Sequence, residues 1–286
     1  MAPRAHLPEY ACEALGLGLF MVSACAFALL LFHPASPVTR AIPTELARRA
    51  LMGLAMGATL VANVHAPWGR RSGSHLNPAA TLAFWWLRRV PAADLAGYAL
   101  AQVAGGVAGM AAMAWLTGAA LSHSSIRYVV TQPGPAGPGA ALAAELAIAF
   151  LMFSVVLRVM ASPRFGRLTP WVAGLLLASF ITFESPVSGT SMNPARTFGS
   201  ALAAHDFSAL WIYLLAPPLA MLAAAAAWRA EMRSRDGAER GCAKLLHLED
   251  DDCIFCGQRG RRRSPSLAAS DRDAFSSGAG PGTSAG

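Results

Sequence analysis

The sequence predicts an all-α membrane protein with six transmembrane helices and two re-entrant half-helices, arranged as an inverted repeat. Three observations carry this reading. The 286-residue chain is 55% hydrophobic and only 14% charged, against about 25% charge in a soluble domain, and its mean hydropathy is +0.42. Six segments approach the roughly 20 apolar residues that cross hydrocarbon as a helix. Two shorter apolar segments, in matching positions of the two halves, each open with Asn-Pro-Ala.

The six long segments are roughly 11–32, 49–66, 95–120, 140–160, 168–184 and 208–229, and none has a cluster of charges at its centre. Helix is the expected state, because backbone polar groups in lipid need partners within the segment. The two short segments, Asn77 to about Leu87 and Asn193 to about Ala204, each match half a membrane in length. Such pairs mark re-entrant half-helices near a midplane site. Ala11-Cys12-Glu13-Ala14-Leu15 parallels Ala143-Ala144-Glu145-Leu146-Ala147, and Ser72 to Ala79 parallels Ser188 to Ala195. Each unit therefore holds three spans, and an odd number makes the second unit enter from the opposite side. The expected organisation is a short N-terminus (1–9), a membrane unit (10–230, with repeats of about 10–120 and 140–230) and a charged, then Ser/Gly-rich tail (231–286) expected to be largely disordered, 257–286 above all. Gly53/Gly57 and Gly105/Gly109 are small residues four apart, suited to close helix crossings.

Charge gives an orientation. The formal net charge is +7, without the basic-aromatic interleaving of a nucleic-acid surface, so no nucleic-acid partner is expected. With the N-terminus inside, the inner loops hold Arg4, Arg70, Arg71, Arg88, Arg89, Arg158, Arg164, Arg167, Arg229 and Arg233, and the outer loops hold Arg40, Arg48, Arg49 and Arg127. Both termini are expected in the cytoplasm of a multi-pass plasma-membrane protein, the inner membrane if the source is bacterial. The first apolar run is expected as a retained helix: Glu9 and Glu13 precede or enter it, and no small-residue cleavage site with a mature domain follows.

The chemistry of the triplets follows from helix ends. Pro at the first helical position is preset for helix and lacks an N–H that would be orphaned there, and Asn before it is an N-cap residue. Each helix start carries about half a positive charge. Two starts entering from opposite faces place both positive ends on one pore, where a cation is repelled and a neutral molecule accepts hydrogen bonds from the Asn77 and Asn193 amides. A single Asn-Pro-Ala marks only a turn or a helix start. Two copies, Asn77-Pro78-Ala79 and Asn193-Pro194-Ala195, each opening a half-span after a Ser-Gly, define a site.

On these motifs, over about residues 9–230, the sequence resembles the major intrinsic protein family, the aquaporins and aquaglyceroporins. Tyr98, Gln102 and Pro217 match family features as well. The resemblance implies a homotetramer with a pore in each subunit, passing water and small neutral solutes and excluding protons and ions. It implies a selectivity filter of Arg196, directly after the second triplet, with Thr190, Ile181 and Met56. An ionisable residue at membrane depth points to function in its own right. Strict water channels of the family usually hold His and Phe where Ile181 and Met56 stand, so the filter here reads as more apolar, with Thr190 leaving one small polar side chain beside Arg196. It also lacks the aromatic wall of typical glycerol facilitators. Thr197 and Tyr213 resemble the water channels and Leu214 the glycerol side. The expected permeants are water and solutes such as glycerol or urea.

Other features are weighed against simpler roles. Glu13 and Glu145 occupy matching repeat positions, which favours a structural role, accepting hydrogen bonds from re-entrant backbone, over proton relay. His75 is expected to shape its loop, and Trp85, Trp86, Trp171 and Trp211 to serve as packing or interfacial residues. Cys12 and Cys25 lie in an apolar segment and are expected to pack. Cys242, His247, Cys253 and Cys256 form C-x4-H-x5-C-x2-C in the tail, a spacing unlike common zinc fingers. Reduced thiols are the expected state, with zinc binding as the alternative, so neither metal nor cofactor enters the predicted site. No nucleophile–base pair in the spans suggests an enzyme. A secondary transporter, which needs midplane coupling carboxylates, and a closed-pore structural membrane protein are the competing functions.

Overall fold

The computed structural model describes residues 6–234, 242–248 and 252–257. Eight principal helices form α1 (Leu7–Phe32), α2 (Glu45–His65), α3 (Pro78–Trp86), α4 (Ala92–Thr117), α5 (Gly137–Ala161), α6 (Thr169–Phe183), α7 (Pro194–Ala204) and α8 (Leu210–Ser234). Six are long and two are short. At 1.5 Å per residue, α3 and α7 reach roughly 14 and 17 Å, about half of a hydrocarbon layer. Five of the long helices are apolar enough to cross a membrane by length and composition, α6 with its leading 3-10 turn. The sixth, α2, has 21 residues and begins with the charged turn Glu45 to Arg49.

Helix ends differ from the apolar windows for local reasons. The first helix starts at Leu7, ahead of position 11, because Pro8 sits in its first turn with Glu9, where proline and a carboxylate both suit a helix start. Likewise α2 starts at Glu45, ahead of position 49, so its charged first turn belongs to the helix. The fourth helix stops at Thr117, short of position 120, because Gly118 adopts a positive φ of 55°. In α8, Pro217 and Pro218 lie inside the helix, which runs on to Ser234.

The packing follows the internal repeat. Helix α1 packs along α4 in the first half, α5 along α8 in the second, and α2 crosses α6 between the halves. The half-helices lie in the middle, each against the last long helix of the other repeat: α3 on α8, α7 on α4. Two crossings are close enough to require glycine. A Cβ at Gly105 would collide with the Ala14 carbonyl, and one at Gly109 would lie 2.5 Å from the Gly18 carbonyl oxygen. Across the repeat boundary, a Cβ at Gly57 would strike the Gly174 carbonyl. Leu100, Trp115, Leu175 and Phe183 project from the outer surface and are exposed, as apolar side chains facing lipid must be.

The tail is not wholly separate from this body. Residues 242–248 and 252–257 pack on the face from which the chain dips toward α3; Ala243, Lys244, Leu246 and Cys253 are buried. Residues 258–286, most of the stretch expected to be disordered, lie outside the described residues, as does Arg4.

Gly105→Val should force α1 from α4. Overpacking of this kind costs about 1–3 kcal/mol, so the detergent-solubilised variant should unfold at a lower temperature by light scattering. Gly139→Ala, where an added Cβ meets nothing within 4 Å, should leave the transition unchanged.

Candidate functional site at the half-helix junction

Each half-helix begins at an asparagine cap. Asn77 Oδ1 accepts from the Ala79 N–H at 2.9 Å, and Asn193 Oδ1 accepts from the N–H groups of Ala195 and Arg196 at 3.1 and 3.3 Å. The amide nitrogens reach across the repeat. Asn77 Nδ2 donates to the Met192 carbonyl and Asn193 Nδ2 to the Leu76 carbonyl, both at 2.7 Å. Each cap is thus tied to the residue preceding the other cap, which holds the two positive helix ends together. One N–H of each amide remains for a guest in the cavity that both asparagines line.

The loops leading to these caps are strained in parallel ways. Positive φ occurs at Gly73, Ser74 and Leu76 before the first cap and at Gly189, Thr190 and Met192 before the second. Each non-glycine residue in that region costs on the order of 1–3 kcal/mol and persists only where its surroundings determine it. A buried carboxylate does so in each repeat. Glu13 accepts from the His75 and Leu76 N–H groups at 3.0 and 2.6 Å, from Ser72 Oγ at 2.7 Å and from Gln102 Nε2 at 2.7 Å. Glu145 accepts from the Ser191 and Met192 N–H groups at 2.6 and 2.8 Å and from Ser188 Oγ at 2.9 Å. Tyr98 and Tyr213 complete the correspondence, donating to the Ser72 and Ser188 carbonyls, each at 2.6 Å. Tyr213 therefore has an anchoring contact beyond its use as a subgroup marker.

Two cavities meet at this junction. One, of about 120 Å³, is lined by Asn77, Asn193, Arg196, His75 and apolar side chains that include Phe84 and Leu177. The other, of about 330 Å³, shares Arg196 with the first, and Met56, Ile181, Thr190 and Arg196 all line it. Met52 and Phe20 join them there. Phe20, from α1, also borders the first cavity, so an aromatic ring flanks the passage at a position the sequence reading does not single out.

The environment of two predicted filter residues differs from expectation. Thr190 does not simply present a polar group beside Arg196. Its hydroxyl donates to Glu184 Oε2 at 2.6 Å and approaches the Phe180 carbonyl at 3.3 Å, because the positive φ of 51° turns the residue toward the end of α6. Arg196 is not left to the cavity alone either; its Nη1 contacts Thr131 Oγ1, from the loop before α5. Neither partner has a motif; among the loop anchors, the repeat alignment signals Glu13 with Glu145 and Ser72 with Ser188.

Beyond Arg196, Asp206 clips the loop ends. Hydrogen bonds from the Ser208 hydroxyl and N–H, with Gln132 and Arg127 nearby, hold this carboxylate below its usual range. On the other side, His75 lies between α3 and the tail. Its Nδ1 meets Thr81 Oγ1 at 3.1 Å and its Nε2 the Ala243 carbonyl at 2.9 Å, while its ring stacks on Phe84 and Phe255.

This interlocked pair of half-helices defines a class. Residues 4–228 match the sequence profile described as Major intrinsic protein, and the chain belongs to that family. Aquaporin NIP1-3 of Oryza sativa is 39% identical over 162 residues, 56% of this chain and 54% of that protein. Aquaporin NIP3-1 of Oryza sativa is 33% identical over 219 residues, 74% of this chain and 67% of that one. Glycerol uptake facilitator protein-like 6 of Lactiplantibacillus plantarum is 36% identical over 180 residues, 61% of this chain and 81% of that one. The chain spans little more than half the length of the first of these relatives. The aquaglyceroporin from Plasmodium falciparum, a solved structure, shares the fold, with a TM-score of 0.63 over 78% of this chain and 96% of that one at 19% identity.

Glu145→Gln replaces one acceptor oxygen with an NH2 that opposes the Ser191 or Met192 N–H. Hydrogen bonds to charged groups are worth about 1.5–3 kcal/mol each, so the variant should unfold at lower temperature than the parent. Glu145→Asp, which keeps the charge but shortens the reach, should lose less; equal loss in both would show that charge is not what holds the loop.

Proposed function

We propose that this protein is a passive channel for water and small neutral solutes, glycerol and urea among them, that excludes protons and ions. The observation that carries the reading is the reciprocal Asn-to-carbonyl exchange, which holds two positive helix ends and two spare amide N–H groups at one cavity. A cation there meets like charge and loses hydration that the apolar walls cannot replace. A neutral molecule keeps hydrogen bonds to Asn77 and Asn193. Arg196 adds a fixed positive charge beside the second cavity, and Met56, Ile181 and Thr190 with it form the proposed selectivity filter. With Ile181 and Met56 apolar and the Thr190 hydroxyl hydrogen committed to Glu184, a carbon-bearing solute is accommodated better than in a filter lined by donors. The relatives, named aquaporins and a glycerol uptake facilitator, support the same solute range.

Glu13 and Glu145 belong to the scaffold in this reading. Both carboxylates accept from the backbone of the re-entrant loops, which argues against their acting as the coupling carboxylates of a secondary transporter. The Arg excess on the side of Arg70, Arg71, Arg88, Arg89, Arg158 and Arg229 supports a cytoplasmic side for that face and for the tail. The family resemblance suggests a homotetramer in a plasma membrane.

Stopped-flow light scattering of reconstituted vesicles tests the function: water flux under a sucrose gradient should exceed that of empty vesicles, and a proton gradient should not collapse. Ile181→His should add a donor and narrow the filter, lowering the glycerol-to-water permeability ratio by roughly tenfold. An unchanged ratio would remove Ile181 from the filter.

A further inference from the structure

Buried side chains in a polar tail call for a cause. The tail segments contain neither helix nor strand, yet Ala243 and Lys244 are 0% and 2% exposed. The contacts are specific. The Leu245 N–H donates to the Gly73 carbonyl at 3.1 Å. Lys244 Nζ donates to the carbonyls of Arg70 and Asp252 at 2.6 and 2.7 Å, so its buried ammonium ties the turn before α3 to the second tail segment. Phe255 stacks on His75 with ring centres 5.5 Å apart and planes 13° apart. Leu245 reaches furthest: it lines the cavity that holds Asn77, Asn193 and Arg196. The tail thus lies over one mouth of the path through the half-helices.

Thirteen described tail residues cannot supply a hydrophobic core of their own, and segments this small generally need a staple. Four side chains stand where a staple would be. The ligand atoms of Cys242, His247, Cys253 and Cys256 lie within 4.8 Å of one another. Cys242 Sγ is 3.1 Å from Cys253 Sγ, and His247 Nε2 is 3.2 Å from Cys256 Sγ. Cys253 to Cys256 turn tightly, with the Gly257 N–H donating to the Cys253 carbonyl at 3.0 Å and Gly257 at a φ of 72°. Three thiolates and one imidazole, all from one short stretch, are a closed tetrahedral ligand set suited to a structural zinc ion.

The geometry points to a zinc site formed by Cys242, His247, Cys253 and Cys256 that folds the tail into a plug, seating Leu245 in the tail-side mouth of the path. Zinc clips the two tail segments together; His75, Gly73 and Arg70 receive them. Loss of the metal leaves the segments without their cross-link and releases Leu245 from the mouth. The metal site stands on its own ligands, whereas the occlusion rests on the channel reading above.

Full-length protein purified without chelator should carry about one zinc per chain. Replacement with cobalt should give the visible absorption of a tetrahedral cobalt thiolate. Cys253→Ser/Cys256→Ser should lose both signals while keeping the oligomeric state of the parent. In vesicles, that variant and chelator-treated parent should conduct water severalfold faster than zinc-loaded parent, and Leu245→Ala should conduct faster while still binding zinc. Absence of zinc and of the cobalt spectrum, whether with free thiols or with a Cys242–Cys253 disulfide, overturns the site. Zinc binding with flux indifferent to its removal overturns the plug. Should neither parent nor any variant conduct, the channel reading fails, and zinc content still decides the site.

Discussion

Two buried carboxylates hold this structure in its working form. Without Glu13 and Glu145, four N–H groups of the re-entrant loops, two in each repeat, would lose their acceptors, at a cost of about 1–3 kcal/mol for each buried group left unpaired. Helix cannot provide those acceptors, because the loops must turn sharply to bring Asn77 and Asn193 to the centre, and the turn requires positive φ at residues that resist it. A carboxylate offers two oxygens at once, so one side chain per repeat restrains two amides and a serine hydroxyl. Everything nearer the centre depends on that restraint: the caps, the amides that cross the repeat, and the place where Arg196 emerges.

The same economy appears at the level of helices. Each half-helix packs on the last long helix of the opposite repeat, so neither repeat completes its own interior. Close crossings at Gly57 and at Gly105/Gly109 bring the surrounding backbones near enough to hold the short helices in place. In lipid, apolar area alone gives helices little reason to associate, and close packing of small residues supplies the attraction instead. Function and fold are therefore difficult to separate. The cavity exists because two incomplete halves interlock, and the groups that line it are the same groups that close the interlock.

The tail adds a feature of another kind. Where the membrane body is built by symmetry, the described tail residues pack against the loop before α3, at Arg70, Gly73 and His75, and have no counterpart in the first repeat. Its receptor includes His75, whose ring stacks on both Phe84 and Phe255. A histidine that would otherwise serve only its own loop thus joins loop, half-helix and tail in a single stack.

The sequence by itself determined what local physics encodes. Segment length and apolarity set six long helices and two half-helices, and the start of each half-helix was legible at Asn77-Pro78 and Asn193-Pro194, because capping and proline geometry act within one turn. The inverted repeat was legible too, since matching stretches placed Glu13 opposite Glu145 and Ser72 opposite Ser188. The helix starts at Leu7 and Glu45 lie ahead of the apolar windows because a charged first turn falls outside any such window. Only the tertiary structure decided the rest. The amides of Asn77 and Asn193 meet carbonyls 115 and 117 residues away, His75 meets Ala243 across 168 residues, and Arg196 finds Thr131 from a loop without a motif. Thr190 turned its hydroxyl to Glu184 for the same reason: a backbone bent into the left-handed region redirects a side chain, and that bend is imposed by a carboxylate on another helix.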